Sequence, residues 1–148
     1  MEIEVVLSIV ALVIALAAAG IAYYCGQTAT KMTQYIYLAN KWYEIKEKEF
    51  DNPDFVNPRK TFSYRTSFTG DSLRKYETFA WICWGHGEDI YLNKWHEDPG
   101  FKPSMRQYKS LHYSWLKEPQ HSRRFDSSFI RYIDGLEQIE IQNPSEKG

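Results

Sequence analysis

Hydrophobic and polar positions along this chain follow two regimes. Residues 5–24 (VVLSIVALVIALAAAGIAYY) are twenty consecutive positions without a charge. Coiled as a helix at about 1.5 Å per residue they span about 30 Å, the thickness of a bilayer's hydrocarbon core. No proline follows until Pro53, and from Gln27 the pattern turns amphipathic. Met32, Ile36, Ala39 and Tyr43 form one stripe, and Tyr35, Leu38, Trp42 and Ile45 form a second beside it. That broad apolar face suits a helix on which other helices pack. The spacing therefore predicts one long helix over residues 5–50, whose run EIKEKE at 44–49 faces solvent with paired charges.

Beyond residue 50 the elements are shorter. Residues 51–70 carry two prolines and several turn formers and read as a long loop, tacked onto the helices by Phe55, Phe62, Tyr64 and Phe68. The sharper alternative makes those four rings a partner-binding surface. A helix over about 71–95, capped by Asp71 or Ser72, follows from the spacing of Leu73, Tyr76, Ala80, Cys83, Gly87 and Ile90. Gly85 and Gly87 weaken it locally and suit a close helix approach or a kink. Pro103 opens a third helix to about 117, with Met105, Tyr108, Leu111, His112 and Trp115 on one face and Pro119 as its stop. Asp126 caps a fourth, 126–136, whose apolar face is Phe129, Ile130, Ile133 and Leu136. Residues 137–148 read as a polar, extended tail. No strand-period segment of convincing length occurs. The expected fold is all-α: a transmembrane anchor over 1–26 continuing into a small helical domain over 27–136.

The small residues of the first helix form a line. Ser8, Ala11, Ala15, Ala18, Ala22, Cys25 and Ala29 recur at alternating spacings of three and four, and Met32, Ile36, Ala39, Tyr43, Lys46 and Phe50 continue the same seam. Lipid supplies no hydrophobic force between helices, so association depends on the close approach that small side chains allow. A 3.5-residue period specifies a left-handed crossing. The seam is expected to pack lengthwise on another membrane helix, from a host subunit or a second copy.

Charge and the flanks of the apolar run narrow the location. A secretory signal needs a basic start and a short apolar core; here Met1-Glu2-Ile3-Glu4 is acidic and the run is long enough to span. Lys31, Lys41, Lys46 and Lys48 follow the span, which by the positive-inside rule puts the N-terminus outside and the helical domain in the cytoplasm of a cell with an inner membrane. Tyr23 and Tyr24 suit the interfacial aromatic belt. The near balance of 18 basic and 19 acidic residues argues against nucleic acid as a partner. Eleven Tyr, eight Phe and five Trp let a small domain bury much area per residue. The two cysteines make no disulfide framework and read as free thiols; juxtamembrane Cys25 suits palmitoylation or, more simply, one more small seam residue.

Candidate chemistry is sparse. Cys83 and His86 lie three apart on a predicted helix, with Glu88 and Asp89 beside them, which is ligand spacing for a metal. A structural zinc site needs four ligands, and no second Cys/His pair of familiar spacing exists. His86-x-Glu88 is half of a zinc-deaminase signature without its Pro-Cys-x-x-Cys half. Glu118 and His121 have the Glu-x-x-His spacing of di-iron bundles, but Pro119 interrupts the helix that spacing requires, and the motif occurs once. No phosphate-binding glycine loop or nucleophile elbow is present. Basic and aromatic residues interleave at Arg59, Lys60, Phe62, Tyr64 and Arg65, at Arg106, Tyr108 and Lys109, and at Arg123 and Arg124. They read as solvated surface, with anionic lipid headgroups as the alternative contact.

The order of span, long helix, Phe50-Asp51-Asn52-Pro53-Asp54-Phe55 and an aromatic helix ending Glu88-Asp89-Ile90-Tyr91 resembles an uncharacterised family of small single-span bacterial membrane proteins, a domain of unknown function. His112-Tyr113-Ser114-Trp115-Leu116 and Phe125-Asp126-Ser127-Ser128-Phe129 fit the same layout, while residues 57–70 depart from it. The resemblance implies a membrane-anchored helical bundle and supplies no catalytic residue. The expected function is a non-enzymatic accessory or scaffold subunit, without cofactor or metal, that docks on a larger membrane complex, a photosynthetic or respiratory one being a candidate host. The rivals are a membrane-tethered enzyme or metal sensor built on Cys83, His86 and Asp89, and a homodimeric signalling or tethering module.

Overall fold

The computed structural model describes residues 2–137, with the side chain of Glu2 left aside. The polar tail expected over 137–148 lies outside the described residues except at Glu137. The protein is all-α: among the described residues every regular element is helical. The first is α1 (Glu2–Asp51), and the chain divides after Tyr37 into two compact units.

The first unit is a bare helix. It is the N-terminal part of the one helix among the described residues long and apolar enough to cross a membrane, and none of that helix's most apolar window is buried against protein. Its serine and threonine hydroxyls turn inward on their own backbone. Ser8 Oγ donates to the carbonyl of Glu4 at 2.8 Å, and Thr28, Thr30 and Thr33 donate to the carbonyls of Tyr24, Gly26 and Ala29 at 3.0 Å each. A hydroxyl bonded four residues back leaves no donor to be satisfied by water, which is how Ser and Thr are tolerated at membrane depth.

The second unit, from Leu38, is a bundle around α4 (Gly70–Leu92) and α5 (Lys102–Leu116), with the C-terminal turns of α1 and α7 (Ser127–Gly135) packed on them. Leu38 and Ile45 of α1, Tyr76, Ala80, Cys83, Trp84 and Ile90 of α4, Met105 and Tyr108 of α5, and Phe129 and Ile133 of α7 are all fully buried. Their three- and four-residue spacings are those of core-facing helix positions.

The ends of the helices follow local chemistry. The backbone N–H of Thr69 donates to Ser72 Oγ at 3.1 Å, and with Thr69 as its cap α4 begins two or three residues earlier than Asp71 or Ser72 as caps would place it. Gly70 sits at φ +54° at this entry, a left-handed backbone that favours glycine. The other end of α4 stops at Leu92, short of 95. Lys94 takes φ +63°, and the N–H groups of Lys94 and Trp95 bond the carbonyls of Tyr91 and Ile90 at 2.9 Å each. These are the two bonds of a Schellman ending, made here with lysine at the position glycine usually fills. Pro103 falls in the first turn of α5, and Asp126 caps α7 by accepting from the N–H of Ser128 at 2.7 Å and Phe129 at 3.3 Å. Lys109, 5% exposed, closes the other end of α7 by donating to the carbonyl of Asp134 at 2.9 Å and to that of Leu136.

Residues 51–70 are not a loop. They fold into a 3-10 turn (Pro53–Val56), α2 (Pro58–Phe62) and α3 (Tyr64–Ser67). Pro53 and Pro58 each sit in a first turn, where a missing N–H costs nothing. A further short helix, α6 (Pro119–Ser122), occupies what the pattern shows only as a stop after α5.

The two glycines of α4 behave differently. A Cβ on Gly87 would meet Met105 Sδ and Phe129 Cζ at 3.4 Å, so α5 and α7 approach closely there; a Cβ on Gly85 would meet nothing within 4 Å.

Candidate functional site

The residues with metal-ligand spacing are placed by α4, and its packing commits each of them elsewhere. His86 is fully buried. Its Nε2 lies 2.9 Å from the carbonyl oxygen of Leu38 on α1, and its Nδ1 lies 2.9 Å from the hydroxyl of Tyr108 on α5. A carbonyl only accepts, so Nε2 carries the proton, and Nδ1 of the neutral ring must accept from Tyr108. Both ring nitrogens are thereby used, and the lone pair a metal would need is taken. Burial pushes the His86 pKa down to about 4, against a smaller upward pull from the bond to Leu38. One imidazole thus pins three helices together as a neutral group.

Cys83 is fully buried, and burial raises its thiol pKa well above the ordinary range, so it is neither a thiolate nucleophile nor a ready ligand. Asp89 turns to the surface and pairs with Lys41 Nζ at 3.1 Å. Among the described residues no three His, Cys, Asp or Glu side chains come together to hold a metal. Glu118 and His121 do not form a metal pair either. Glu118 receives bonds from Arg65 Nε at 2.7 Å, from Arg65 Nη2 and from the Tyr64 hydroxyl, and the Arg65 bonds hold its carboxyl below the usual range. His121 stacks on Trp115 with ring centres 3.9 Å apart and donates from Nδ1 to the carbonyl of Trp115 at 2.8 Å.

A second buried histidine lies deeper. His112 Nδ1 is 3.2 Å from the Tyr76 hydroxyl, while Nε2 is buried without a partner. Burial lowers its pKa to about 3, with a smaller contribution from Lys46. Lys46 is held by Glu49 Oε2 at 2.6 Å and by Gln107 Oε1 at 3.0 Å, and Glu49 Oε1 is buried with no bond. The seam's continuation at Lys46 therefore belongs in part to the bundle.

The proposed partner surface is divided by burial. Phe55, Tyr64 and Phe68 are core residues, 6%, 3% and 4% exposed; Phe62 alone projects, at 81%. Phe68 stacks on Tyr76 with centres 4.7 Å apart, and Phe55 meets Phe68, Tyr76 and Phe79 at 5.5 to 5.7 Å. These rings have a partner already, in α4. The basic–aromatic runs are also engaged: Lys60 pairs with Asp54 at 2.6 Å, Arg65 with Glu118, Lys109 caps α7, and the Arg124 guanidinium lies 5.3 Å over the Trp81 ring.

The seam residues Ser8, Ala11, Ala15, Ala18, Ala22, Cys25 and Ala29 are all exposed within the first unit. Cys25 and Cys83 are free thiols, the first exposed and the second buried. The features that sequence spacing missed are the histidine clamp and a basic cleft beside α4. The clamp's partners lie 22 and 48 residues from His86, and no local signal marks them.

Comparison with protein-family models, with curated proteins and with solved structures finds no match to this chain.

Proposed function

We propose that the chain is a non-enzymatic, single-pass membrane accessory or scaffold subunit that docks on a larger membrane complex through the small-residue seam of α1. The observation that carries this reading is the seam itself: seven small residues in one line on the part of α1, residues 3–33, where every side chain is exposed. Large apolar side chains beside the line suit lipid, and the line suits a helix approached closely. Supporting it, Cys83, His86, Glu118 and His121 are each engaged in packing or in hydrogen bonds that hold the bundle. The lysines after the span favour an N-outside, C-inside orientation in a cell membrane.

The test is gentle extraction from native membranes, followed by a native gel and mass spectrometry of what co-migrates. Migration in a large stoichiometric assembly, lost in the Ala15→Leu/Ala18→Leu double variant, is expected. Migration alone, as monomer or dimer, removes the reading, and a dimer lost in the same variant would turn it into the homodimeric module.

A further inference from the structure

The C-terminal turns of α1 and the outer side of α4 enclose a cleft of about 300 Å³. Its floor is apolar: Phe55 and Phe79 are core rings, and Ile82 packs against the same core. Its walls carry Lys48, Arg74 and Lys75, and among the described residues no carboxylate lines it. Asp71 touches Arg74 at 3.4 Å and Lys75 at 3.3 Å in largely exposed pairs, contacts that water and salt weaken and that a better acceptor displaces. Lys48 is exposed and makes no ion pair or side-chain hydrogen bond among the described residues. An adjoining cleft shares Asn52, Phe55 and Lys75 but is also lined by Asp51, Asp54 and Asp71. Charge is therefore segregated across Lys75. An anion is drawn to the Lys48–Arg74 end and repelled from the aspartate end.

Cations set over an aromatic and aliphatic floor recognise a particular chemistry. The apolar body of a ligand gains by leaving water for the floor, and its charged end gains charge-assisted bonds from the walls. A bare inorganic anion would use only the walls, and a neutral apolar molecule only the floor. We propose that the α1–α4 cleft is a binding site for a small amphiphilic anion, a carboxylate or a phosphate monoester borne on an aromatic or short aliphatic group. The site uses neither the membrane seam nor any residue of the histidine clamp, so it stands or falls separately from the docking role.

The test uses the full chain in lipid nanodiscs with its Thr78 and Ile82 methyl groups observed by NMR. Phenyl phosphate, phenylacetate, inorganic phosphate and benzyl alcohol are titrated in turn. Saturable shifts of both methyls are expected with at least one aromatic anion, at least tenfold tighter than with inorganic phosphate or with benzyl alcohol. Phenyl phosphate above phenylacetate would assign a phosphate monoester; the reverse would assign a carboxylate. The Lys48→Glu/Arg74→Glu variant changes two exposed side chains, and unchanged Ile133 methyl shifts confirm its fold. It is expected to lose affinity at least tenfold. Absence of saturation by both aromatic anions overturns the proposal. So does equal binding of inorganic phosphate or benzyl alcohol, or unchanged binding by the folded variant.

Discussion

From Ile3 to Ile21 of α1 the large aliphatic side chains are between 49% and 76% exposed, whereas on α4, α5 and α7 Trp84, Met105, Tyr108, Phe129 and Ile133 are wholly buried. Both regions are rich in hydrophobic residues, and they use them for opposite ends. Around α4, apolar area leaves water and the gain is packing energy, so large interlocking rings serve best. Along residues 5–22 the side chains are aliphatic or small, the one hydroxyl, that of Ser8, bonds the carbonyl of Glu4 within the helix, and no described residue buries them. Such a surface is costly in water and natural in lipid. Polar groups divide the same way. In the bundle several are buried with partners, His86 with Tyr108, Tyr76 with His112 and the Lys109 ammonium with two carbonyls; in the span they are nearly absent.

The comparison breaks most visibly under truncation. Trp84→Ala, which also removes the indole bond to the carbonyl of His112, is expected to cost the bundle about 3–5 kcal/mol in denaturant unfolding. Leu16→Ala is expected to leave that transition unchanged, because Leu16 is 65% exposed. A large cost for Leu16→Ala would mean the span is packed on protein within the chain.

Acid acts on the same buried groups. His86 and His112 have folded pKa values near 4 and 3, below the value of about 6.5 for the unfolded chain. Between those limits the unfolded chain binds protons that the bundle does not, so stability is full above pH 6.5 and falls as pH drops toward 4 for His86 and toward 3 for His112. The expected slope is about 1 to 1.5 kcal/mol per pH unit for each histidine. Stability measured from pH 7.5 to 5 checks it; a flat profile would show that both rings are reached by water, and half the slope that one is. Tyr108→Phe is milder. It leaves His86 Nδ1 buried without its donor, at about 1–3 kcal/mol.

The smallest effects sharpen the packing detail. Gly85→Ala fills open space on α4 and is expected to stabilise the bundle by up to about 1 kcal/mol through helix propensity. Gly87→Ala is expected to gain less or to lose, because Met105 and Phe129 must yield. Equal gains at both positions would contradict the close approach.

Much of this architecture is visible in residue spacing. The charge-free run, the periodicity of α4, α5 and α7, Asp126 as a cap and Pro103 in a first turn all act within a few residues of themselves. What escaped is of two kinds. The helical turns between Pro53 and Ser67 are four or five residues each, too short for a 3.6-residue period to show, and their aromatic residues read equally as surface or core. The other kind is long-range: spacing put Cys83 and His86 on one helix, but only folding brings Leu38 and Tyr108 to His86 and turns Asp89 to Lys41. Local ligand spacing was cancelled by distant partners.

The docking role is tested most directly by placing a photo-crosslinking amino acid at Ala15, Ala18 or Val13 in native membranes. At about 100° per residue Val13 lies on the side of the helix away from the seam. The account predicts an adduct with one host polypeptide from Ala15 and Ala18 and none from Val13. Adducts of equal yield from all three positions, or adducts only with a second copy of the chain, would contradict it.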